Sequence, residues 1–407
     1  MRKLFVQAGY VLVALLTVYL CVWCGDEETE KPKVSFEEKL LTTIPEDLNM
    51  MYEDGAIYTA VRIRFSPDGK QVAYNARNGN KHLVIVGDKK SEGLDVAGAP
   101  VFSPDSKQVA YEVRNGGKEF VLVGDKKGEE FDAVGPPVFT PDGKVAYWAV
   151  KGNKSFVVVG DKKVKSFDFV HPPGTTPVLI NPVIFSPDGK QIAYCASKGD
   201  KGFVVVGDKN GEEFDWVFPP IVFSPDGKQV AYGAKIKGRC FVVVGDKKGE
   251  EFNTVSDIVF SPDGNQVAYA ATQGMEKFIV VGDKKTPAFG SLYVSGIVFS
   301  PDDKQIAYCG CDGAKYEFVV VMGKTAEYPN GKKSEDFDVV FSPIVFSPDS
   351  KQIAYGAKKK GKSFVVVGDK KGEEFDMVYP IVFSPDGKKI VFGALNGREI
   401  WWKVWNY

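Results

Sequence analysis

The residues that could carry chemistry are few. The chain holds two histidines, His82 and His171, and six cysteines in 407 residues. Two histidines leave little material for a histidine-based metal site or a general base. Cys309 and Cys311 stand two apart on what reads as one strand, so their side chains share a face. Cys195 occupies the repeat position of Cys309. A zinc site would need further ligands beside them, and small buried residues are the expectation. The sequence contains no Gly-x-Ser-x-Gly elbow, no His-Glu-x-x-His pair, no Walker loop and no EF-hand loop. No catalytic residue and no cofactor are therefore assigned. Lys+Arg 52 against Asp+Glu 53 give a formal charge of -1, so no bulk pull toward nucleic acid is implied.

Binding chemistry is better represented, in two sets of residues. One set is basic: Arg77, Arg114, Lys151, Lys198, Lys235, Lys237 and Arg239, with Lys358 to Lys360 and Arg398. The other is largely aromatic and often lies beside prolines: Trp216, Phe218 and Tyr379, with His171, Phe169, Tyr293 and Phe341. Cations beside aromatic rings suit an anionic ligand, a sugar or a peptide. The competing reading is that the lysines keep a surface soluble while the rings pack between elements.

The elements that position these residues come from a repeat. A phrase close to Val-Phe-Ser-Pro-Asp-Gly-Lys-Gln-Val-Ala-Tyr occurs nine times, with prolines at 67, 104, 141, 187, 225, 262, 301, 348 and 385. Most copies continue into Phe-Val-Val-Val-Gly-Asp-Lys-Lys and Gly-Glu-Glu-Phe-Asp. Each unit reads as four short antiparallel strands. Strand A is the apolar run Ile221 to Ser224, and Pro225-Asp226-Gly227 makes the turn. Strand B, Gln229 to Gly233, alternates. Strand C, Phe241 to Val244, is apolar throughout and needs cover on both faces. Strand D is placed at Glu251 to Val255. The recurrent aspartates, Asp68, Asp188 and Asp226 among them, are expected to be turn residues, not catalysts. Ser106, Asp303 and Ser350 replace the turn glycine, which points to tolerance at those positions.

A sheet of four antiparallel strands, repeated with one strand buried on both faces, describes a β-propeller blade. The Phe-Ser-Pro-Asp-Gly-Lys-x-Ile/Val-Ala-Tyr phrase resembles the WD40-like PD40 repeat of the TolB propeller and of the prolyl-oligopeptidase propeller. It covers nearly everything from residue 56 to 407. An all-β propeller of nine blades follows, with eight as the alternative. The last unit lacks a fourth strand, and Ile57 to Ala60 aligns with strand D, so an N-terminal strand is expected to close the ring. With strands alternating in direction, the Ser-Pro-Asp and Gly-Asp-Lys-Lys turns share one face. The B–C and D–A connections share the other, and both residue sets above lie on it. Two insertions break the period, Val170 to Pro182 and Lys324 to Glu335, and are candidate contact segments.

Upstream of the propeller the chain changes character. Residues 1–24 begin with Arg2 and Lys3 and then run uncharged from Leu4 to Cys24, long enough to cross a bilayer. Asp26, Glu27 and Glu28 follow, an order that places the remainder outside the cytoplasmic membrane. The segment is either a retained anchor or a signal ending at Cys24, which resembles the lipidated cysteine of bacterial lipoproteins. Residues 25–55 read as a polar tether and a short helix from Phe36 to about Ile44, entered through a Ser35–Glu38 capping box. The sum is a non-enzymatic, envelope-tethered, monomeric scaffold in the periplasm or at the cell surface, binding a protein, peptide or glycan. The alternatives are a polysaccharide lyase or hydrolase with a site at the channel mouth, and a lectin-like multivalent sugar binder.

Overall fold

The computed structural model describes residues 37–50, 63–152, 154–168, 183–286, 293–312, 316–323 and 332–407. Blade five shows how one unit is made. Strand A is Trp216–Phe223, B is Val230–Ile236, C is Arg239–Val244 and D is Lys247–Lys248, hydrogen-bonded in that order. Nine such sheets form a ring, and the described residues are all-β. The A strands of consecutive blades adjoin at the centre.

Strand C is covered on both faces, as its composition requires. Phe241, Val242 and Val243 are each at most 3% exposed, and Val242 and Val243 fall into different cores, one toward each neighbouring blade. Burying side chains of this size contributes roughly 1.5–3 kcal/mol apiece. The molecule therefore has a chain of inter-blade cores instead of one centre, and every blade depends on two neighbours.

The A–B turns close locally. Ser224 Oγ donates to Asp226 Oδ1 at 2.7 Å and accepts from Gln229 N at 2.9 Å, while Lys228 N donates to Asp226 Oδ1 at 3.1 Å. Gly227 holds φ +70°, the left-handed region. Where serine replaces that glycine the conformation is kept, with φ 63° at Ser106 and 61° at Ser350. Each of these hydroxyls accepts a hydrogen bond from the preceding blade, from Asp68 N at 3.1 Å and Asp302 N at 3.0 Å. An added inter-blade bond accompanies the left-handed backbone at both serines.

Two expectations need correction. Strand D is Lys247–Lys248, with Phe252 joining the sheet only as a single bridge to Cys240. Thr254–Phe260 instead opens blade six as its strand A. Val255 is 3% exposed there, burial that an outer edge does not provide. The expected helix is also a strand where it is described. Lys39–Thr43 pairs antiparallel with the last blade's strand C, Glu399–Asn406, with Lys39 opposite Trp402 and Thr43 opposite Glu399. A nine-residue helix gains few internal hydrogen bonds, whereas the last sheet offers an edge whose backbone groups need partners.

The ring is thus closed by an N-terminal strand, but by Lys39–Thr43. Ile57 to Ala60, the expected closing segment, lies outside the described residues. Arg398 secures the seam: Nε donates to Ile44 O at 2.8 Å, and Nη2 donates to Leu48 O at 2.8 Å and to Pro45 O. Ile44 and Leu48 are buried against Leu395, Ile400 and Trp402.

Candidate binding surface

On the face of the B–C hairpins, the last aspartate of Gly-Glu-Glu-Phe-Asp joins two blades. Asp215 Oδ1 accepts from Lys201 Nζ of blade four at 2.6 Å, and Oδ2 accepts from Lys237 N of blade five at 2.6 Å. Asp95 repeats this with Lys81 and Gly116, Asp132 with Lys118 and Gly152, and Asp376 with Lys362 and Gly397. The Lys201 ammonium bonded to Asp215 holds that carboxyl below the usual carboxylate range. At Asp132 and Asp376 the backbone N–H is the leading cause of the same shift. These aspartates bind the protein to itself.

Against that frame, the sequence-derived residues separate into three groups. Several are engaged internally. Arg77 Nη2 lies 3.1 Å from His82 Nε2. Arg114 is 4.0 Å from Glu119, Lys151 is 3.0 Å from Glu129, and Arg239 is 3.8 Å from Glu251 with Nη2 donating to Gln273 Oε1 at 3.2 Å. The half-buried aromatic rings pack: Phe218 lies across Gly233, and Tyr379 stacks tilted on Phe65 with centroids 5.5 Å apart. His171 and Cys24 lie outside the described residues, as does the Val170 to Pro182 insertion. Of the Lys324 to Glu335 insertion only its end is described, where Lys332–Lys333 serves as strand D.

The third group is what the structure brings together. Trp216 is 50% exposed and stands directly opposite Lys235 on the neighbouring strand, a register that puts their Cβ atoms about 5 Å apart. Lys237 occupies the adjoining hairpin with φ 47°. Lys198 is exposed on the same face at the hairpin of blade four. Among the described residues, the side chains of Lys198, Lys235 and Lys237 have no ion-pair partner. Trp216, Lys235 and Lys237 therefore form an open aromatic and cationic surface on blade five.

A further layer, not recognised in the sequence, lies between strands A and B. The residue after the strand-B aromatic, a tyrosine in eight units and Phe392 in the ninth, is Asn75, Glu112, Trp148, Cys195, Gly233, Ala270, Cys309, Gly356 or Gly393 in turn. Where it is glycine at 233 and 356, Phe218 and Phe341 of strand A fill the space. Where it is Glu112 or Trp148, strand A has Gly98 or Gly135 beneath it and splits into two short pieces, Val96–Ala97 with Val101–Phe102 and Ala133–Val134 with Val138–Phe139. Comparing the repeats at this one position is the signal that would have found it.

Two groups in the neighbouring wall are shifted by burial. Asp257 sits in strand A of blade six at φ 54° and accepts from Gly296 N at 3.2 Å; desolvation pushes its carboxyl up. Cys309 is buried and desolvation pushes its thiol up, which keeps it protonated. Among the described residues, no three of His, Cys, Asp and Glu converge as metal ligands.

No family model matches the chain, and no curated protein matches it in sequence. Solved structures do match in shape. A crystal structure of a eukaryotic initiation factor aligns over 84% of this chain and 97% of its own, with TM-score 0.51 and 12% identity. A structure of the Dos1 propeller covers 84% of this chain and 96% of its own, with TM-score 0.43 and 13% identity. A prolyl endopeptidase structure covers 67% and 50%, with TM-score 0.39 and 13% identity. At such identities the first of these is a likeness of fold alone.

Proposed function

We propose that this protein is a non-enzymatic β-propeller scaffold that works outside the cytoplasmic membrane, held there by its N-terminal segment, and binds an envelope protein or peptide. The Phe-Ser-Pro-Asp-Gly-Lys phrase relates this reading to PD40-type propellers such as that of TolB. The observation that carries it is the blade-five surface, where an exposed indole stands beside two ammonium groups that have no ion-pair contact among the described residues. Most charges around it are consumed in holding blades together. Exposed tryptophans are enriched among the anchors of protein-binding patches, and rim charges beside them steer the partner to the site.

Two measurements test the reading. External protease applied to spheroplasts should digest the propeller while cytoplasmic markers survive; a protected propeller counts against the placement. Capture from an envelope extract should yield a partner with the parent chain that is lost when Trp216, Lys235 and Lys237 are all changed to alanine. Identical captures by both chains would remove the blade-five surface from the account.

A further inference from the structure

At the rim, each Gly-Glu-Glu-Phe segment lies in a groove against the following blade, and two of these grooves show what they are built to hold. At the junction of blades two and three, Glu129 Oε1 lies 3.0 Å from Lys151 Nζ and 2.8 Å from Lys163 Nζ. Lys151 ends strand B and Lys163 lies on strand D of the following blade. Both ammonium groups stand over the Phe131 ring, at 5.9 and 5.2 Å. The junction of blades seven and eight repeats the arrangement. Glu335 pairs with Lys359 at 2.7 Å and with Lys371, and Lys359 lies 5.7 Å over Phe337. At these two junctions the groove takes two cations, whereas at the four–five and five–six junctions, where strand B ends in Ile236 and Gln273, Glu212 and Glu250 each pair with one, Lys248 and Lys285.

The seam between blades eight and nine holds only one. Glu373 takes the place of Glu129 and Glu335, and the cation nearest it is Lys403, which donates to Glu38, just before the closing strand, at 2.7 Å, is 3.7 Å from Glu373 and lies 5.6 Å over Phe375 and 5.1 Å over Trp401. The strand-B end that is Lys151 or Lys359 at the sister junctions is Asn396 here. Opposite it stands Glu399, where the sister blades have Lys154 and Lys362. A cavity of about 430 Å³ opens at this point, lined by Glu373, Glu374, Glu399, Asn396 and Trp401 together with Lys403. Trp401 Nε1 donates to Glu399 Oε2 at 3.0 Å and so fixes a carboxylate beside the indole face.

We propose that this cavity binds a lysine side chain of a partner polypeptide. Its ammonium takes the position that Lys151 and Lys359 fill at the sister junctions. Three carboxylates offer acceptors to the three N–H donors of an ammonium, and the indole of Trp401 accepts the aliphatic stem and the cation. The site lies apart from the Trp216 surface and does not rest on it.

The test titrates N-acetyl-lysine methylamide into the detergent-solubilised full chain, followed by NMR. Binding is expected with a Kd of about 1–10 mM. Acetylating the probe's Nζ should weaken it at least tenfold. Asn396→Lys restores the residue of the sister junctions and should fill the cavity from within, with the same tenfold loss and an unchanged near-UV spectrum. Glu374→Gln, which leaves the cavity open, should weaken binding about threefold. No saturation by about 50 mM probe, equal affinity for the acetylated probe, or undiminished binding by a folded Asn396→Lys chain would each overturn the proposal.

Discussion

The two faces of the ring are made by the same strands, yet their polar groups are used over different distances. On the turn face, Ser224, Asp226, Lys228 and Gln229 satisfy one another within six residues. The Ser/Thr–Asp bond recurs in all nine copies, from Ser66–Asp68 to Ser384–Asp386. On the hairpin face, Asp215 reaches across to Lys201 of one blade and to a backbone N–H of the next. A local circuit constrains every residue in it and must be copied whole. An inter-blade staple needs little more than a carboxylate and an N–H, which leaves positions such as Trp216, Lys235 and Lys237 free to differ between units.

Breaking the closure on the hairpin face should have the largest effect. Arg398→Ala removes three hydrogen bonds to carbonyls of the N-terminal segment. Bonds to a charged donor are worth roughly 1.5–3 kcal/mol each, and the solvent exposure of this side chain reduces the expected loss to about 3 kcal/mol. Urea unfolding of the variant should also show the seam opening before the remaining blades, read by the Trp402 environment. On the turn face, Ser224→Ala removes the hydroxyl that binds Asp226 Oδ1 and Gln229 N and should cost about 1 kcal/mol, with no change in partner capture. Asp376→Ala releases one staple at a solvent-accessible site, so screening reduces the expected loss to about 1 kcal/mol.

Acid should separate the faces less sharply than mutation does. The hydrogen bond from Ser224 leads the causes that lower Asp226, to about 2, and serine hydroxyls likewise lead at Asp188, Asp349 and Asp386. Folded values below the unfolded value of about 3.9 mean stability that is complete above about pH 5 and lost as pH falls toward 2. Asp257 runs the other way: burial raises it, so its ionisation above the unfolded value opposes folding. Asp257→Asn should therefore raise the thermal midpoint at pH 7, and the gain should shrink as pH falls toward 4. Asparagine tolerates the left-handed backbone there.

Much of this was legible in the sequence because it is local and repeated. Nine copies of one phrase gave nine blades, and the all-apolar Phe241 to Val244 run gave a strand covered on both faces. The Asp226 type of residue was readable as a turn former from its proline and glycine neighbours. What was not legible depends on residues far apart. Leu40 and Leu41 carry no strand signature of their own; Lys39–Thr43 becomes a strand because the outer edge of Glu399–Asn406, some 360 positions away, would otherwise be unpaired. The basic residues could be placed on one face, but whether each is engaged depends on other segments: Lys151 meets Glu129, while Lys235 meets no carboxylate among the described residues. Trp216 was expected on the D–A connection; it instead opens strand A, and its exposure follows from its position at the end of that strand beside Lys235.

The smallest effect on stability and the largest on binding should come from the same residue. Trp216→Ala should change stability by less than about 0.5 kcal/mol, as expected for an exposed side chain outside any staple. The most direct measurement places a photo-crosslinking amino acid at position 216 in one strain and at position 228, on the turn face, in another, and irradiates intact cells. The account predicts a discrete crosslinked partner from position 216 and none from position 228. Crosslinks from 228 alone, or the same set from both, would contradict the claim that the hairpin face is the working surface.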